Sequence, residues 1–311
     1  MYRKIFFAFL VIALLVTACT STTQSTPTAE PTAAPITLVD GLNRTVTLPA
    51  AARTVVSLAP SNTEILFAVG AGTQVVGRDM FSDYPPEAAS VQDIGGSMGE
   101  YNLEAIAALK PDLVLAGGIN PSDLVASLEK LGLTVYYLPN PTTLEEMFIN
   151  METVGKLTGH ESDATAVVTL LRERVAAVDE MQIVIKYRPT VYYEIDATDP
   201  ANPYTYGPGS FGDLLIKRAG GINIGSQLKD PWSSISLEQL IADNPSIVLL
   251  GDAMWGETPE KFAARPGLEN LDAVKNGQVF PFDDNLVSRP GPRLVDGLEA
   301  LAKILHPGLF K

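Results

Sequence analysis

Residues 103–117, LEAIAALKPDLVLAG, recur as residues 237–251, LEQLIADNPSIVLLG, 134 positions downstream and without a gap. Seven of the fifteen positions are identical, and two more keep their apolar character. Each copy has the pattern of a short helix, a proline that ends it and a buried strand. A repeat of this length predicts two similar lobes in one chain, and two facing lobes form a cleft.

Strand and helix patterns alternate along the rest of the chain. Strands are predicted at 54–57, 75–77 and 134–138, and helices at 121–131 and 143–158. Ser61-Asn-Thr-Glu64 has the pattern of a capping box that begins a helix over Glu64–Val69. This alternation predicts an α/β fold with two Rossmann-like lobes, each built on a mostly parallel sheet covered on both faces.

Residues 161–185 carry one long apolar stripe at helical spacing, opposite a polar face. A helix of this length is roughly 37 Å long and lies between the two repeats, so we interpret it as the single connection between the lobes. The expected division is a signal peptide over 1–18, a lipidated cysteine and tether over 19–35, an N-terminal lobe over 36–159, the connecting helix over 160–186 and a C-terminal lobe over 187–311.

The N-terminus has the pattern of a secretory signal. Arg3 and Lys4 precede a short apolar run, and Val16-Thr-Ala-Cys19 ends it with small residues and the only cysteine of the chain. This end resembles a bacterial lipobox, which implies cleavage before Cys19 and lipidation of its thiol. A plain signal peptide with an incidental cysteine is the alternative. The Thr-, Ser-, Ala- and Pro-rich residues 20–35 predict a tether to the outside of a cell membrane, in the periplasm or on the outer face.

Composition narrows the classes of partner and chemistry. Cleavage removes two of the 22 basic residues and none of the 36 acidic ones, which moves the net charge from −14 to −16 and disfavours nucleic acid. The two histidines, His160 and His306, have no partner motif, and no phosphate loop is present. Gly95-Gly-Ser-Met-Gly99 has the G-x-S-x-G spacing, but it does not directly follow a predicted strand, as a nucleophile elbow does. We therefore expect no metal site, no resident cofactor, no enzyme activity and a monomer.

Aromatic residues concentrate in predicted loops. Phe81, Tyr204, Trp232 and Trp255 all fall outside the predicted helices and strands. Together they favour a large, flat, partly apolar ligand at the cleft edge, although each alone is more often explained by core or loop packing than by ligand contact. Arg289 is a candidate donor to that ligand, with a surface arginine as the alternative.

Each repeat carries a glutamate in the first turn of its helix. Asn102 and Ser236 are good N-caps, which places Glu104 and Glu238 where the helix dipole favours an anion. Helix stability alone explains both glutamates. The functional alternative is that the two carboxylates, one per lobe, dock onto basic residues of a pseudo-symmetric partner.

Four segments resemble one known family along nearly all of the mature chain: Val55-Val-Ser-Leu-Ala-Pro-Ser-Asn-Thr-Glu-Ile-Leu, Ser82-Asp-Tyr-Pro-Pro, Asn102-Leu-Glu-Ala-Ile-Ala-Ala-Leu-Lys-Pro-Asp-Leu-Val and Arg289-Pro-Gly-Pro-Arg. They are similar to the cobalamin and ferric-siderophore substrate-binding proteins of ABC importers, and the first three are most similar to the cobalamin branch. The resemblance implies a ligand held between the lobes, modest hinge closure, and docking of Glu104 and Glu238 onto arginines of the permease dimer.

The resemblance also implies a set of ligand contacts. Trp232, Asp284 and Arg289 match the residue types of the cobalamin binder, and Phe81 and Tyr204 keep an aromatic where it has one. Met98 and Gly117 depart from the family, which has aromatics at both places; Met98 stays in the expected ligand-binding set. Two alternatives remain open at this point: a binder of haem or a ferric siderophore, and an extracytoplasmic α/β enzyme.

Overall fold

The computed structural model describes residues 34–97 and 100–309. The predicted signal peptide, Cys19, most of the tether and Met98 therefore lie outside the described residues. Within the described ranges, no helix is long and apolar enough to cross a membrane.

The part of the chain before the connecting helix, which we call the first lobe, alternates strands and helices. Its elements are β1 (Ile36–Val39), β2 (Thr45–Leu48), β3 (Val55–Ser57), α1 (Pro60–Ala68), β4 (Val75–Arg78), β5 (Gly95–Ser97), β6 (Glu100–Tyr101), α2 (Leu103–Ala108), β7 (Leu113–Ala116), α3 (Ser122–Lys130), β8 (Val135–Tyr137) and α4 (Leu144–Thr158). β1 and β2 form an antiparallel pair at the start of this lobe.

The connecting helix α5 (Glu161–Met181) leads into the second lobe. Its elements are β9 (Thr190–Glu194), β10 (Tyr204–Tyr206), α6 (Phe211–Arg218), β11 (Ile222–Asn223), β12 (Trp232–Ser234), α7 (Leu237–Asp243), β13 (Ile247–Leu250), α8 (Pro259–Ala263), α9 (Asp272–Lys275), β14 (Val279–Pro281), α10 (Asn285–Ser288) and α11 (Leu294–Leu305). The described residues form one compact unit, so the lobe boundaries stay a prediction.

The two lobes contain four-stranded sheets of the same order. The first sheet runs β4-β3-β7-β8 and the second β11-β9-β13-β14, and every pairing in both is parallel. The sequence repeat supplies the third strand of each sheet, β7 and β13, preceded by α2 and α7. The prediction of two α/β lobes with parallel sheets is thus confirmed.

Helix α5 packs against α4 of the first lobe and α11 of the second. Its stripe of Ala164, Val168, Leu171, Val175 and Val178 is buried, as its spacing predicts, in a hydrophobic cluster that includes residues of both lobes. The helix ends at Met181, so the prediction of a helix to residue 185 was wrong. Gln182, Ile183 and Val184 form turns, in which Ile183 is 85% exposed.

The predicted capping box at the start of α1 was also wrong. Helix α1 begins at Pro60, and the N-cap residue Ala59 makes no side-chain cap hydrogen bond. The polar side chains that follow bind other parts of the lobe: Thr63 Oγ1 donates to Ser57 Oγ (2.8 Å) and Asn62 Nδ2 donates to the Leu115 carbonyl (3.1 Å). Glu64 is therefore an interior residue of the helix and is buried.

The second lobe buries a group of carboxylates around one arginine. Glu194 is fully buried and accepts two hydrogen bonds from Arg265, both of 2.7 Å. Asp252 is 8% exposed, and its Oδ1 has no hydrogen-bond partner among the described residues. Burial, followed by the charges of Glu194 and Glu257, raises the pKa of the Asp252 carboxyl from 3.8 to about 7.

This raised pKa predicts how stability changes with pH. The unfolded chain loses the Asp252 proton near pH 4, while the folded chain keeps it until about pH 7. The free energy of unfolding therefore falls as the pH rises across that interval. We expect Asp252→Asn to remove this loss. Between pH 4 and pH 8 the free energy of unfolding of the variant, relative to wild type, rises by about 1–3 kcal/mol in urea titrations.

Asp272→Asn is the matched control, because Asp272 is exposed at the start of α9. Its stability difference from wild type should stay nearly constant over the same interval. If Asp252→Asn behaves like the control, Asp252 is ionised at pH 4–8 and the proposed cost is wrong.

Candidate ligand-binding cleft

A cavity of about 190 Å³ lies between the two lobes. From the first lobe it is lined by Ala59, Ser61, Gly118, Ile119, Asn140, Pro141 and Thr142, and from the second by Gly209, Ser210, Phe211, Trp232, Ser288 and Pro290. The first-lobe residues all follow the carboxyl ends of β3, β7 and β8. Ligands of open α/β sheets bind at this edge, so the cavity is the candidate site.

Two glycines shape the first-lobe wall. A Cβ on Gly117 would lie 3.2 Å from the side-chain amide of Asn62, and a Cβ on Gly118 would lie 2.7 Å from Asn140 Oδ1. Glycine at 118 therefore lets the Asn140 side chain approach the backbone at the end of β7. At 117, where the family has an aromatic, a larger side chain would press on Asn62. Sequence reasoning missed Ile119, which is 69% exposed and lines the cavity.

The second-lobe wall is carried by a two-stranded antiparallel sheet. β10 pairs with β12, with Tyr206 opposite Trp232 and Tyr204 opposite Ser234. The prediction that these aromatics lie in loops was wrong, because the Tyr-Thr-Tyr segment pairs with a strand 26 residues later that has no alternating apolar pattern of its own. Trp232 is 62% exposed and lines the cavity, while Tyr204 is 52% exposed and does not line it.

Asp284 is held at the start of α10 by two buried tyrosines. Its Oδ1 accepts hydrogen bonds from Tyr193 (3.0 Å) and Tyr206 (2.8 Å). Burial, and then the Asp284 charge, raises the pKa of both phenols well above the ordinary value. The phenols therefore stay protonated and keep the carboxylate oriented beside the strand that carries Trp232.

Arg289, the predicted ligand donor, is engaged elsewhere in this structure. Its Nη1 donates to Asp83 Oδ1 (2.7 Å) and lies 3.3 Å from Glu64 Oε1, both in the first lobe. Its side chain is 13% exposed and is not part of the cavity lining, although its neighbours Ser288 and Pro290 are. Burial raises the pKa of Asp83, but the hydrogen bond and charge of Arg289 outweigh this and lower it.

Arg293 makes a bidentate contact between the lobes. Its Nε (2.9 Å) and Nη2 (2.6 Å) bind the two carboxylate oxygens of Glu64, which is 2% exposed. Its guanidinium lies 4.0 Å from the centre of the Tyr84 ring, a cation–π contact. Removing one partner of such a buried pair typically costs about 3–5 kcal/mol. Sequence reasoning missed this pair, although the second arginine of Arg289-Pro-Gly-Pro-Arg293 was the available signal.

Phe81 lies on the segment that faces the second lobe. It lies two residues before Asp83, which pairs with Arg289 of the second lobe. The Phe81 side chain is 48% exposed, and the backbone N–H of Phe81 donates to Asp79 Oδ1 (3.0 Å). It does not line the cavity. The structure therefore places Trp232 at the cavity, Asp284 and Arg289 at the two ends of α10, and Phe81 and Tyr204 farther out.

The predicted docking glutamates occupy equivalent positions. Asn102 caps α2 by accepting from the Ala105 N–H, and Ser236 caps α7 by accepting from the Gln239 N–H, which confirms both predicted caps. Glu104 and Glu238 are exposed in the first turns of these helices. Across residues 34–97 and 100–309, neither carboxylate pairs with a basic side chain.

A larger cavity, about 400 Å³, lies entirely within the second lobe. It is lined by Asp196, Ala197, Thr198, Asp252, Trp255, Gly256, Glu257 and Lys261. No group of three His, Cys, Asp or Glu side chains in the described ranges is arranged to hold a metal ion. Both lobes also line a cavity of about 290 Å³ beside α5, around the Glu64–Arg293 pair. We favour the 190 Å³ cavity as the ligand site because both lobes line it and its first-lobe wall follows the carboxyl ends of the strands.

Known proteins support this reading of the fold. The chain is 30% identical to a cobalamin-binding protein of Halobacterium salinarum over 321 aligned residues, covering 98% of this chain and 86% of that protein. It is also 30% identical to an uncharacterized ABC transporter substrate-binding lipoprotein of Bacillus subtilis, covering 89% and 87% of the two chains.

Solved structures show the same architecture. The vitamin B12-binding protein BtuF of Vibrio cholerae has a TM-score of 0.70 at 27% identity and covers 82% of this chain and 97% of that one. The haem-binding protein RhuT of Roseiflexus has a TM-score of 0.74 at 25% identity and covers 83% and 99%. Residues 55–286 match the family described as periplasmic binding protein. The chain is therefore a member of the periplasmic binding protein family.

Proposed function

We propose that this protein captures cobalamin or a related corrinoid between its lobes and delivers it to an ABC importer. The observation that carries the proposal is the cavity between the lobes, where the exposed ring of Trp232 meets residues of the opposite lobe. The names of the Halobacterium and Vibrio proteins supply the ligand class.

The wall chemistry suits a flat macrocycle with an amide-bearing rim. Trp232 offers an apolar face for stacking, and Ile119 offers an aliphatic one from the other lobe. Ser61, Asn140 and Thr142 supply donors and acceptors for amides. At about 190 Å³ the cavity is smaller than the ~300–1,000 Å³ of drug-sized ligand sites. The proposal therefore requires the lobes to separate from the arrangement seen here.

The proposal places the protein at a membrane through its N-terminus. Lipidated Cys19 and the polar tether of residues 20–35 would hold a monomer outside the cytoplasm, in reach of a permease dimer. The description of the Bacillus subtilis relative as a substrate-binding lipoprotein supports this part. Corrinoid is cargo in this scheme, and the protein binds it without turnover, resident cofactor or nucleic acid.

Haem or a ferric siderophore is the second candidate ligand, favoured by the likeness to the haem-binding protein RhuT. An anionic chelate needs cations that are available in the cleft. Arg293 is bound at both carboxylate oxygens of the buried Glu64, whereas Arg289 shares one hydrogen bond with the exposed Asp83. A cleft to which only one of these two arginines can turn favours the corrinoid, whose rim is mainly neutral.

Binding is tested with residues 20–311 and cyanocobalamin by isothermal titration calorimetry. We expect Trp232→Ala to weaken binding about ten- to hundredfold, because burying an aromatic face contributes ~1.5–3 kcal/mol. Trp255→Ala is the matched control: it removes the same side chain from the cavity of the second lobe and should leave the affinity unchanged.

Two results would contradict the assignment. Tight binding of haem or a ferric siderophore without heat from cyanocobalamin would move the ligand to the second candidate. Loss of cyanocobalamin binding in Trp255→Ala, with Trp232→Ala unaffected, would move the site to the second lobe.

Docking is tested separately by Glu104→Ala combined with Glu238→Ala. The double variant should lose more than nine-tenths of cobalamin uptake by cells that carry the permease, while its affinity in calorimetry stays that of wild type. The charge-matched control is Asp123→Ala with Glu260→Ala, which removes exposed first-turn carboxylates from α3 and α8.

Uptake in the control should stay near the wild-type level. If both double variants transport equally well, the glutamates serve only helix stability. If affinity falls in the first variant, its carboxylates belong to the ligand site.

A further inference from the structure

Two ion pairs join the lobes beside the cleft, and they differ in character. Glu64 and Arg293 form a bidentate pair in which both side chains are nearly covered, at 0% and 11% exposure. Asp83 and Arg289 share a single 2.7 Å hydrogen bond, and the Asp83 side chain is 67% exposed. The first pair is buried from water, whereas the second is half in solvent.

The two pairs therefore differ in what their separation leaves behind. If Arg293 leaves Glu64, a buried carboxylate loses both of its close donors, which is strongly unfavourable. If Arg289 leaves, Glu64 keeps its bidentate partner and loses only a 3.3 Å contact, and Asp83 returns to water. Arg289 is thus the arginine that the first lobe can release at low cost.

Arg289 lies beside residues of the cavity between the lobes, so its guanidinium can move there when it leaves Asp83. Its neighbours on both sides, Ser288 and Pro290, line the cavity between the lobes, as does Trp232. The arginine side chain has four rotatable torsions, so its guanidinium has the reach to turn from Asp83 toward that space once the pair separates. Arginine presents five N–H donors in a planar fork and suits ligand oxygens.

We propose that Glu64 and Arg293 form the fixed half of an interlobe clamp, and that Asp83 is its releasable half. Asp83 holds Arg289 while the cleft is empty and gives it up to a hydrogen-bond-accepting oxygen of the ligand. Asp83 therefore competes with the ligand and sets how readily the cleft opens. The ligand part of this inference rests on the proposed function, whereas the clamp itself is a property of the ligand-free protein.

The clamp is tested first without ligand. The distance between the lobes is measured by pulsed electron paramagnetic resonance. The spin labels are attached at Lys130→Cys of α3 and Lys275→Cys of α9, in Cys19→Ser protein. Asp83→Asn should raise the population at longer distances about two- to fivefold, as expected for loss of a solvent-exposed pair.

The control is Asp93→Asn, which neutralises another exposed, arginine-paired carboxylate of the first lobe. It should leave the distance distribution unchanged. Glu64→Gln should open the lobes more than Asp83→Asn does, and should also lower the midpoint of thermal unfolding. If Glu64→Gln does not fold, Asp83→Asn still decides the question, because Asp83 is exposed.

The second arm measures cyanocobalamin affinity. Asp83→Asn should bind two- to fivefold more tightly than wild type, because Arg289 is released without competition. Arg289→Gln should bind more weakly, and Asp93→Asn should bind as wild type does.

Equal distance distributions in Asp83→Asn and Asp93→Asn overturn the inference. An opened Asp83→Asn protein that binds no cyanocobalamin, like wild type, upholds the clamp and rejects the proposed function. An Asp83→Asn protein that opens but binds cyanocobalamin no more tightly than wild type removes the competition from the inference.

Discussion

A buried carboxylate held across a boundary determines how the two lobes face each other. Glu64 projects from α1 of the first lobe, and both of its oxygens are bound by Arg293 at the start of α11 in the second. Because an unpaired charge at a buried position is so unfavourable, this contact restricts the lobes to arrangements in which the pair survives. The Glu64–Arg293 pair therefore helps to hold Trp232 across the cavity from the ends of β3, β7 and β8.

Helix α5 is the second restraint, and its Leu171 and Arg174 line one cavity together with Glu64 and Arg293. Arg172 binds Glu145 of α4 in the first lobe, whereas Arg174 binds Asp296 and Glu299 of α11 in the second. Two residues on a helix differ by roughly 200°, so neighbouring arginines reach opposite lobes. We expect one continuous helix that packs on both lobes to permit small rotations of the lobes rather than large ones. The ion pairs beside the cleft then govern which rotation is populated.

Much of the fold followed from local patterns. The repeat predicted helix, stop and strand correctly in both lobes, because capping residues, a proline and a buried apolar run act within fifteen residues. The same sheet order in both lobes is consistent with that repeat. Contacts made over long separations were not predictable in this way. Glu64 and Arg293 are 229 positions apart, and the polar run Ser61–Glu64 was misinterpreted as a cap because its true partners are distant.

The residues of the candidate site were likewise predictable only in part. The family resemblance marked Trp232 and Asp284. Trp232 lines the cavity, whereas Asp284 is the N-cap residue of α10, whose last residue Ser288 lines it. The pairing of β10 with β12 and the hydrogen bond from Arg289 to Asp83 join residues far apart in the sequence, so no local pattern predicts them. The central claim, that the ligand lies between the lobes, is tested most directly by crystals grown with cyanocobalamin and an anomalous difference map at the cobalt edge. The account predicts one cobalt peak between Trp232 and the loops after β7 and β8. A peak confined to the second-lobe cavity beside Trp255 would contradict it.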